Sequence, residues 1–456
     1  MTRSSPAQDP DRLPVRVPLV TRPLGLWDSL RATRENVLSI IPEVALQRRI
    51  VSGRTGRRWH MVMDPGAIRR VLLENLDTYP KSLVTKNLLR PAVGDSLFIA
   101  EGAHWRWQRR TAAPAFSHRN VLNLAPVMTR AAERSVARIA EAGPRAVEMM
   151  QEMVTTTFDV ISDVTFSSGE GFQRDAVHQA IDAYISEAGK VSLFDVLGFP
   201  DWVPRPGRLR AGGVTEMRDV ADRAIQRRID EGPGDVPDLL DLLLAGEDPE
   251  SGRKMSLPEL RDNLLTFIVA GHETTALALS WALYLMAFDQ EAQDRARAEA
   301  QAVLSDGLAR GEDVPRLTFT RQVVDEALRL YPPGGLVSRT ALAEDRLCGT
   351  RILPGDTVML PIYALHRHDA LWEDPQAFRP DRWAGDRPDR YAYLPFGDGP
   401  RICIGASFAL QEAVIILSTL LANFRFTPVK GRDPKPVMIL TLRPEGGVWL
   451  EAERVL

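Results

Sequence analysis

Two cysteines, Cys348 and Cys403, are all that 456 residues contain, too few for a disulfide framework or a cysteine-rich zinc site. A dominant charge sign is also missing. Against 60 acidic residues stand 57 basic ones, a formal net charge of −3, which lacks the basic excess of a general nucleic-acid binder and leaves room only for a small local basic face. No apolar signal segment opens the chain, and no internal repeat is present. The sequence therefore reads as soluble and cytoplasmic. Its longest apolar run, Leu264 to Phe288, carries His272, Glu273, Thr274, Thr275 and Ser280. A mid-bilayer acid costs about 2.5–3.5 kcal/mol on insertion scales, so a buried helix of a soluble core is expected rather than a membrane anchor.

Residues 1–20, rich in proline, arginine and small polar groups, are expected to form an extended arm. Length alone would allow two or three domains after it. Helical periodicity dominates from Pro65 to about Leu330, with loops expected at Pro80 to Ile99, Gly198 to Gly213 and Gly232 to Pro237. Ser256-Leu-Pro-Glu259 reads as a capping box that starts a helix reaching about Asp289. Further helices are expected at Thr320 to Tyr331, ended by Pro332-Pro333, and at Ala406 to Phe424. Strand signals are fewer: a hairpin at Arg49 to Met63 and short pieces at Thr357 to Leu360 and Val437 to Leu442. The fold class is mainly α with a smaller β portion.

Cys403 lies in Phe396-Gly-Asp-Gly-Pro-Arg-Ile-Cys-Ile-Gly405, just before the last helix. A helix start lowers a thiol pKa through unpaired N–H groups, and Arg401 would favour the thiolate or hold a carboxylate. Gly397, Gly399 and Gly405 would let the backbone pass close to a flat ligand, and Phe396 would shield the sulfur. A buried hydrophobic cysteine in a glycine-rich turn stays open as the plain alternative. Trp105 and Arg109, four apart on one helical face, suit a carboxylate or the lip of an amphipathic helix. His272-Glu273 is not a zinc-protease motif, because residue 276 is alanine. His366 and His368 read as polar loop residues and Cys348 as structural.

The Cys403 segment resembles the haem-thiolate signature F-x-x-G-x-R-x-C-x-G of the cytochrome P450 family at Phe396, Gly399, Arg401, Cys403 and Gly405. Four more motifs follow suit: Trp105-Arg-Trp-Gln-Arg109, Ala270-Gly-His-Glu-Thr-Thr275, Glu326-Ala-Leu-Arg329 and Phe378-Arg-Pro-Asp-Arg-Trp383, the last with Asp381 in place of glutamate. The resemblance runs from about residue 20 to the end. It implies a single P450 domain over 21–456, with haem b between the long central helix and the cysteine loop. By the same likeness Cys403 ligates iron, Trp105, Arg109, Arg339 and Arg401 hold the two propionates, and Phe396, Gly271 and Gly405 lie against the cofactor. Glu273 and Thr274 would relay protons to O2. Glu326, Arg329 and Arg382 would form a structural triad.

The activity implied is insertion of one oxygen atom from O2 into a small hydrophobic substrate, by hydroxylation or epoxidation. A fatty acid, terpenoid or steroid-like molecule would fit. Leu97, Ile268, Val269, Ala270, Leu336, Val337 and Ile439 would line the pocket, as would Phe194 to Trp202. Lys81, Lys86 or Arg90 would meet a carboxylate at its mouth, unless they are solvated loop charges. Electrons would come from an external donor, as with a ferredoxin and its reductase, since no flavin or nicotinamide fingerprint is present. Two rival readings remain: a peroxide-using peroxygenase, against which Glu273-Thr274 argues, and a non-catalytic haem sensor.

Overall fold

The structure is a computed structural model that describes residues 13–22, 24–143, 145–166, 212–234 and 237–455. Strands β1 (Ile50–Thr55) and β2 (Arg57–Val62) form the expected hairpin, turning at Gly56. Helices α1 (Leu83–Val93), α2 (Gly102–Ala112) and α3 (Met149–Phe166) lead to the long helix α4 (Leu257–Phe288). After α5 (Thr318–Leu330) come β3 (Val337–Thr340) and β4 (Thr357–Leu360), then α6 (Ala406–Asn423) and a final hairpin, β5 (Lys435–Met438) with β6 (Leu442–Glu445). The main sheet has the order β1-β2-β4-β3, with β2 and β4 parallel and the other pairs antiparallel.

The core is helical. Ser256 and Glu259 close the capping box at the start of α4, satisfying donors that a helix start leaves free. Every residue from Thr275 to Ala287 of that helix is buried, so it runs through the interior, packed on α3, α5 and α6. Burying each such leucine contributes about 1.5–3 kcal/mol, and an apolar sequence on all sides suits this position. Among the described residues α6 is the one helix long and apolar enough to cross a membrane, yet 78% of it is buried inside the protein.

Several expectations need correction. The stretch from Pro80 to Ile99 is not a loop throughout: Ser82 caps α1 by accepting from the Thr85 N–H, and Leu88, Leu89 and Val93 bury one face. Pro91 sits in the last turns of α1, which ends at Gly94 with φ +56°. Val437 to Leu442 is not one strand but the inner ends of β5 and β6 with a turn between them. The arm is extended where described but firmly packed. The Val15 and Val17 N–H groups donate to the Tyr284 and Tyr363 hydroxyls at 3.0 Å, and Val17 is only 3% exposed. Gly212 and Gly213 open a helix that runs to Glu231, while the rest of the expected loop from Gly198, and Phe194 to Trp202, lie outside the described residues.

Candidate functional site

A cavity of about 540 Å³ opens between α4 and the segment from Phe396 to Gly405, closed by α1, α2, β3 and the turn joining β5 to β6. The cysteine segment bends back on itself, with the Cys403 N–H donating to the Phe396 carbonyl at 2.9 Å. Gly399 has φ +72°, and a Cβ there would stand 2.3 Å from the Leu72 carbonyl oxygen, so only glycine lets the loop approach that backbone. Gly405, with φ −90°, adopts a conformation open to any residue. Cys403 and Phe396 line the cavity. The cysteine is exposed to that enclosed space, and burial pushes its thiol above the usual value, only partly opposed by the Gly405 N–H and Arg109. The lowering expected from a helix start is thus outweighed in the free thiol.

Cations gather at one end. Arg109 on α2 donates to the Ile402 carbonyl at 2.9 Å, and the Arg401 guanidinium stacks 4.2 Å over the Trp105 ring. Arg401 also bonds the Ala100 carbonyl and pairs with Glu101. Arg339 projects from β3, donating from Nη1 to the Ser338 carbonyl, but its buried Nε has no partner. Burial, then repulsion from Arg401, pushes the Arg339 pKa down to about 10. Lys81 joins them in the wall, 3.7 Å over the Phe98 ring. Of the three cations placed at a mouth by the sequence, Lys86 pairs with Glu101 and Arg90 with Asp95, leaving Lys81 turned into the cavity.

Helix α4 supplies the opposite wall through Phe267, Ala270, Gly271, Thr274 and Ala278, a spacing of three or four that keeps one face toward the space. Thr274 donates to the Ala270 carbonyl at 2.8 Å. Leu97, Leu336, Val337 and Ile439 also line the cavity, but Ile268 and Val269 fall on other faces of α4, Ile268 in the core and Val269 half-buried against it. The same helical geometry takes Glu273 off the wall. Its carboxylate, 3% exposed, accepts from Thr441 Oγ1 at 2.6 Å and Arg443 Nε at 2.7 Å instead. A Cβ at Gly271 would meet Ile161 of α3 at 3.3 Å, so this glycine also serves helix packing.

Behind the cysteine loop, Glu326 is fully buried and accepts from Arg329 Nε and Nη2 at 2.8 Å, Arg382 Nε at 3.0 Å and Trp383 Nε1 at 3.0 Å. Arg329 spends its other donors on the carbonyls of His366, Pro375 and Ala377. His366 and His368 lie in a loop as expected, after a short helix ending at Leu365, but are buried. His366 accepts the Leu394 N–H at 2.8 Å with Nε2, bracing the chain before Phe396. Sequence reading missed Glu412 on α6, 1% exposed with one oxygen unpartnered and its carboxyl held well above the usual range by burial, against the opposing Thr275 side chain. An acid inside an otherwise apolar helix was the available signal.

Residues 51–451 match the cytochrome P450 family model. The chain belongs to the cytochrome P450 family. It is similar to cyclooctatin synthase of Streptomyces melanosporofaciens, 34% identical over 84% of this chain and 84% of that protein. Cyclooctat-9-en-7-ol 5-monooxygenase of the same organism is 32% identical over 92% and 90%. Cytochrome P450 4F3 of Rattus norvegicus is 30% identical over 87% and 81%. The protein is thus a P450 monooxygenase, and the family implies a haem cofactor. The residues present fit one. Arg109, Arg339, Arg401 and Lys81 converge on the cavity while Glu101 and Asp398 are the nearby carboxylates, Asp398 already paired with Arg390. The orphaned Arg339 Nε calls for an acceptor such as a propionate.

Proposed function

We propose that this P450 inserts one oxygen atom from O2 into a hydrophobic, terpenoid-like molecule, with electrons from a separate ferredoxin and its reductase. The observation that carries this reading is that Cys403 and Thr274 line one cavity whose remaining wall is largely aliphatic. Haem b, held by Cys403 with Trp105, Arg109, Arg339 and Arg401 at its propionates, would supply the oxygen-activating redox chemistry. Phe396 would keep water from the sulfur, and Gly271 contributes a wall without a side chain. The Thr274 hydroxyl would pass protons inward from a position fixed by the Ala270 carbonyl. Leu97, Ala270, Leu336, Val337 and Ile439 would hold the substrate by apolar contact.

The substrate class draws on two relatives, one named for cyclooctat-9-en-7-ol, a cyclic unsaturated alcohol. A soluble, cytoplasmic protein is the reading that suits the burial of α6. The peroxide-using alternative has one observation on its side: Glu273 is held away from the cavity. The deciding experiment is the spectrum of the reduced protein under carbon monoxide, beside Cys403→Ser. A strongly red-shifted Soret band lost in the variant supports the thiolate ligand, and its absence from folded, haem-replete native protein removes the proposal. Turnover with NADH and a surrogate ferredoxin, compared with peroxide alone, then separates the two readings. Spin-state titration with cyclic terpene alcohols and fatty acids tests the substrate class.

A further inference from the structure

Glu273 and Thr274 are neighbours in sequence but face different surroundings. Thr274 lines the cavity, whereas the Glu273 carboxylate is bound by the final hairpin, through Thr441 of the turn between β5 and β6 and Arg443 of β6. Both bonds converge on one oxygen, Oε1, from Thr441 at 2.6 Å and Arg443 at 2.7 Å, lengths typical of charge-assisted hydrogen bonds. The same turn presents Ile439 and Leu440 to the cavity. One side of the turn therefore touches whatever fills the cavity while the other holds the acid.

Motion of this turn has natural limits. Leu442 is fully buried, its N–H donates to the Pro333 carbonyl at 3.0 Å and its carbonyl accepts from Trp281 Nε1 at 3.0 Å. Met438 on the other side is paired with Leu442 across the hairpin. The anchored ends confine displacement to Ile439, Leu440 and Thr441, as in a short loop gate. Arg443 is the exposed member of the clasp, with 37% of its side chain open against 4% for Glu273, so the cation can leave into water more cheaply than the carboxylate can stay alone.

We propose that Arg443 is a positioning residue: with Thr441 it latches the Glu273 carboxylate away from the cavity, so that proton delivery toward Thr274 waits on the Arg443 side chain leaving for water and the turn at 439–441 releasing Thr441. The inference rests on the monooxygenase reading above. It gives Arg443 a role in timing that a surface ion pair would lack, and it reconciles an acid positioned for relay by sequence with an acid withdrawn by the fold.

The test uses haem-loaded full-length protein with NADH, a surrogate ferredoxin and its reductase, and no substrate, following O2 consumption and hydrogen peroxide release. Losing a hydrogen bond to a charged group should raise the open population, and with it substrate-free O2 consumption, by about tenfold in Arg443→Gln. Arg443→Lys should restore most of the native rate. In Glu273→Gln/Arg443→Gln the rise should vanish, which a merely structural loss would not produce. Amide hydrogen exchange at Leu440 and Thr441 should quicken in Arg443→Gln irrespective of turnover. If that variant does not retain haem, Thr441→Val removes the other bond and should give a smaller rise with the same dependence on Glu273. No rise in the variant, or an equal rise in the double variant, overturns the latch. Absence of the red-shifted carbon monoxide band from the haem-loaded native protein overturns the monooxygenase reading instead.

Discussion

Replacing Glu326 with glutamine exchanges one carboxylate oxygen for an NH2 group and removes the charge. Arg329 Nε and Trp383 Nε1 converge on Oε2, while Arg329 Nη2, Arg382 Nε and the Arg379 N–H converge on Oε1. Whichever oxygen is lost, at least two donors then face another donor. Hydrogen bonds to charged groups contribute about 1.5–3 kcal/mol each. Arg329, 0% exposed, also loses its countercharge, and breaking a buried pair costs about 3–5 kcal/mol. We expect a destabilisation of about 3–5 kcal/mol, a large part of the usual 5–15 kcal/mol of a folded protein. The assay is the urea midpoint followed by far-ultraviolet circular dichroism, with the haem band recorded in parallel. Burial pushes the Glu326 carboxyl up, but the charges and donors of Arg329, then Arg382, outweigh it and leave the carboxyl below its usual value. Its stabilisation is therefore full above the unfolded value of about 4.3 and is lost as pH falls through the lower folded value. Glu326→Gln should lack that acid-sensitive step. A midpoint shift worth less than about 1 kcal/mol would refute the reasoning.

Gly399→Ala should fold yet hold haem poorly, since the new Cβ would meet the Leu72 carbonyl and φ +72° costs an L-residue about 1–2 kcal/mol; native haem content and an unchanged carbon monoxide band would count against this. His366 should make the protein lose stability as pH falls. Burial, with the Arg329 charge, pushes its pKa down to about 3, so a neutral ring is favoured and stability drops from about pH 6.5, its unfolded value, toward 3. The slope of unfolding midpoint against pH over that range should be shallower in His366→Gln. Thr274→Ala should release more hydrogen peroxide per NADH and less product, read by peroxide assay and product quantitation; fully coupled turnover would remove Thr274 from the relay. Arg339→Ala should speed haem transfer to apomyoglobin by at least several-fold, because the orphaned Nε is the donor best placed to gain a propionate.

Local signals reached the main helices and the hairpin because each carried its own chemistry. Ser256 and Glu259 close their capping box, Pro332 and Pro333 follow the end of α5, and Gly56 sits at the β1–β2 turn with φ +75°. The cysteine segment was legible for the same reason: glycine, arginine and cysteine at fixed spacing form one turn before α6. Helix α1 was not legible, since Pro91 mimics a boundary and only the burial of Leu88, Leu89 and Val93 outweighs it. The β5–β6 turn was missed because its strands are short and its register comes from cross-strand pairing.

Sequence alone determined which residues could ligate, relay and brace, because those capacities belong to side-chain chemistry and to spacing along one helix or loop. Only tertiary structure decided which way they face. A shift of one position along α4 turns Thr274 to the cavity and Glu273 to Arg443, 170 residues away in the chain. It likewise left Arg339 Nε without a partner and brought it to the same space as Arg401 and Lys81. Such encounters depend on how separate elements pack, and a local pattern holds no record of what lies across the gap.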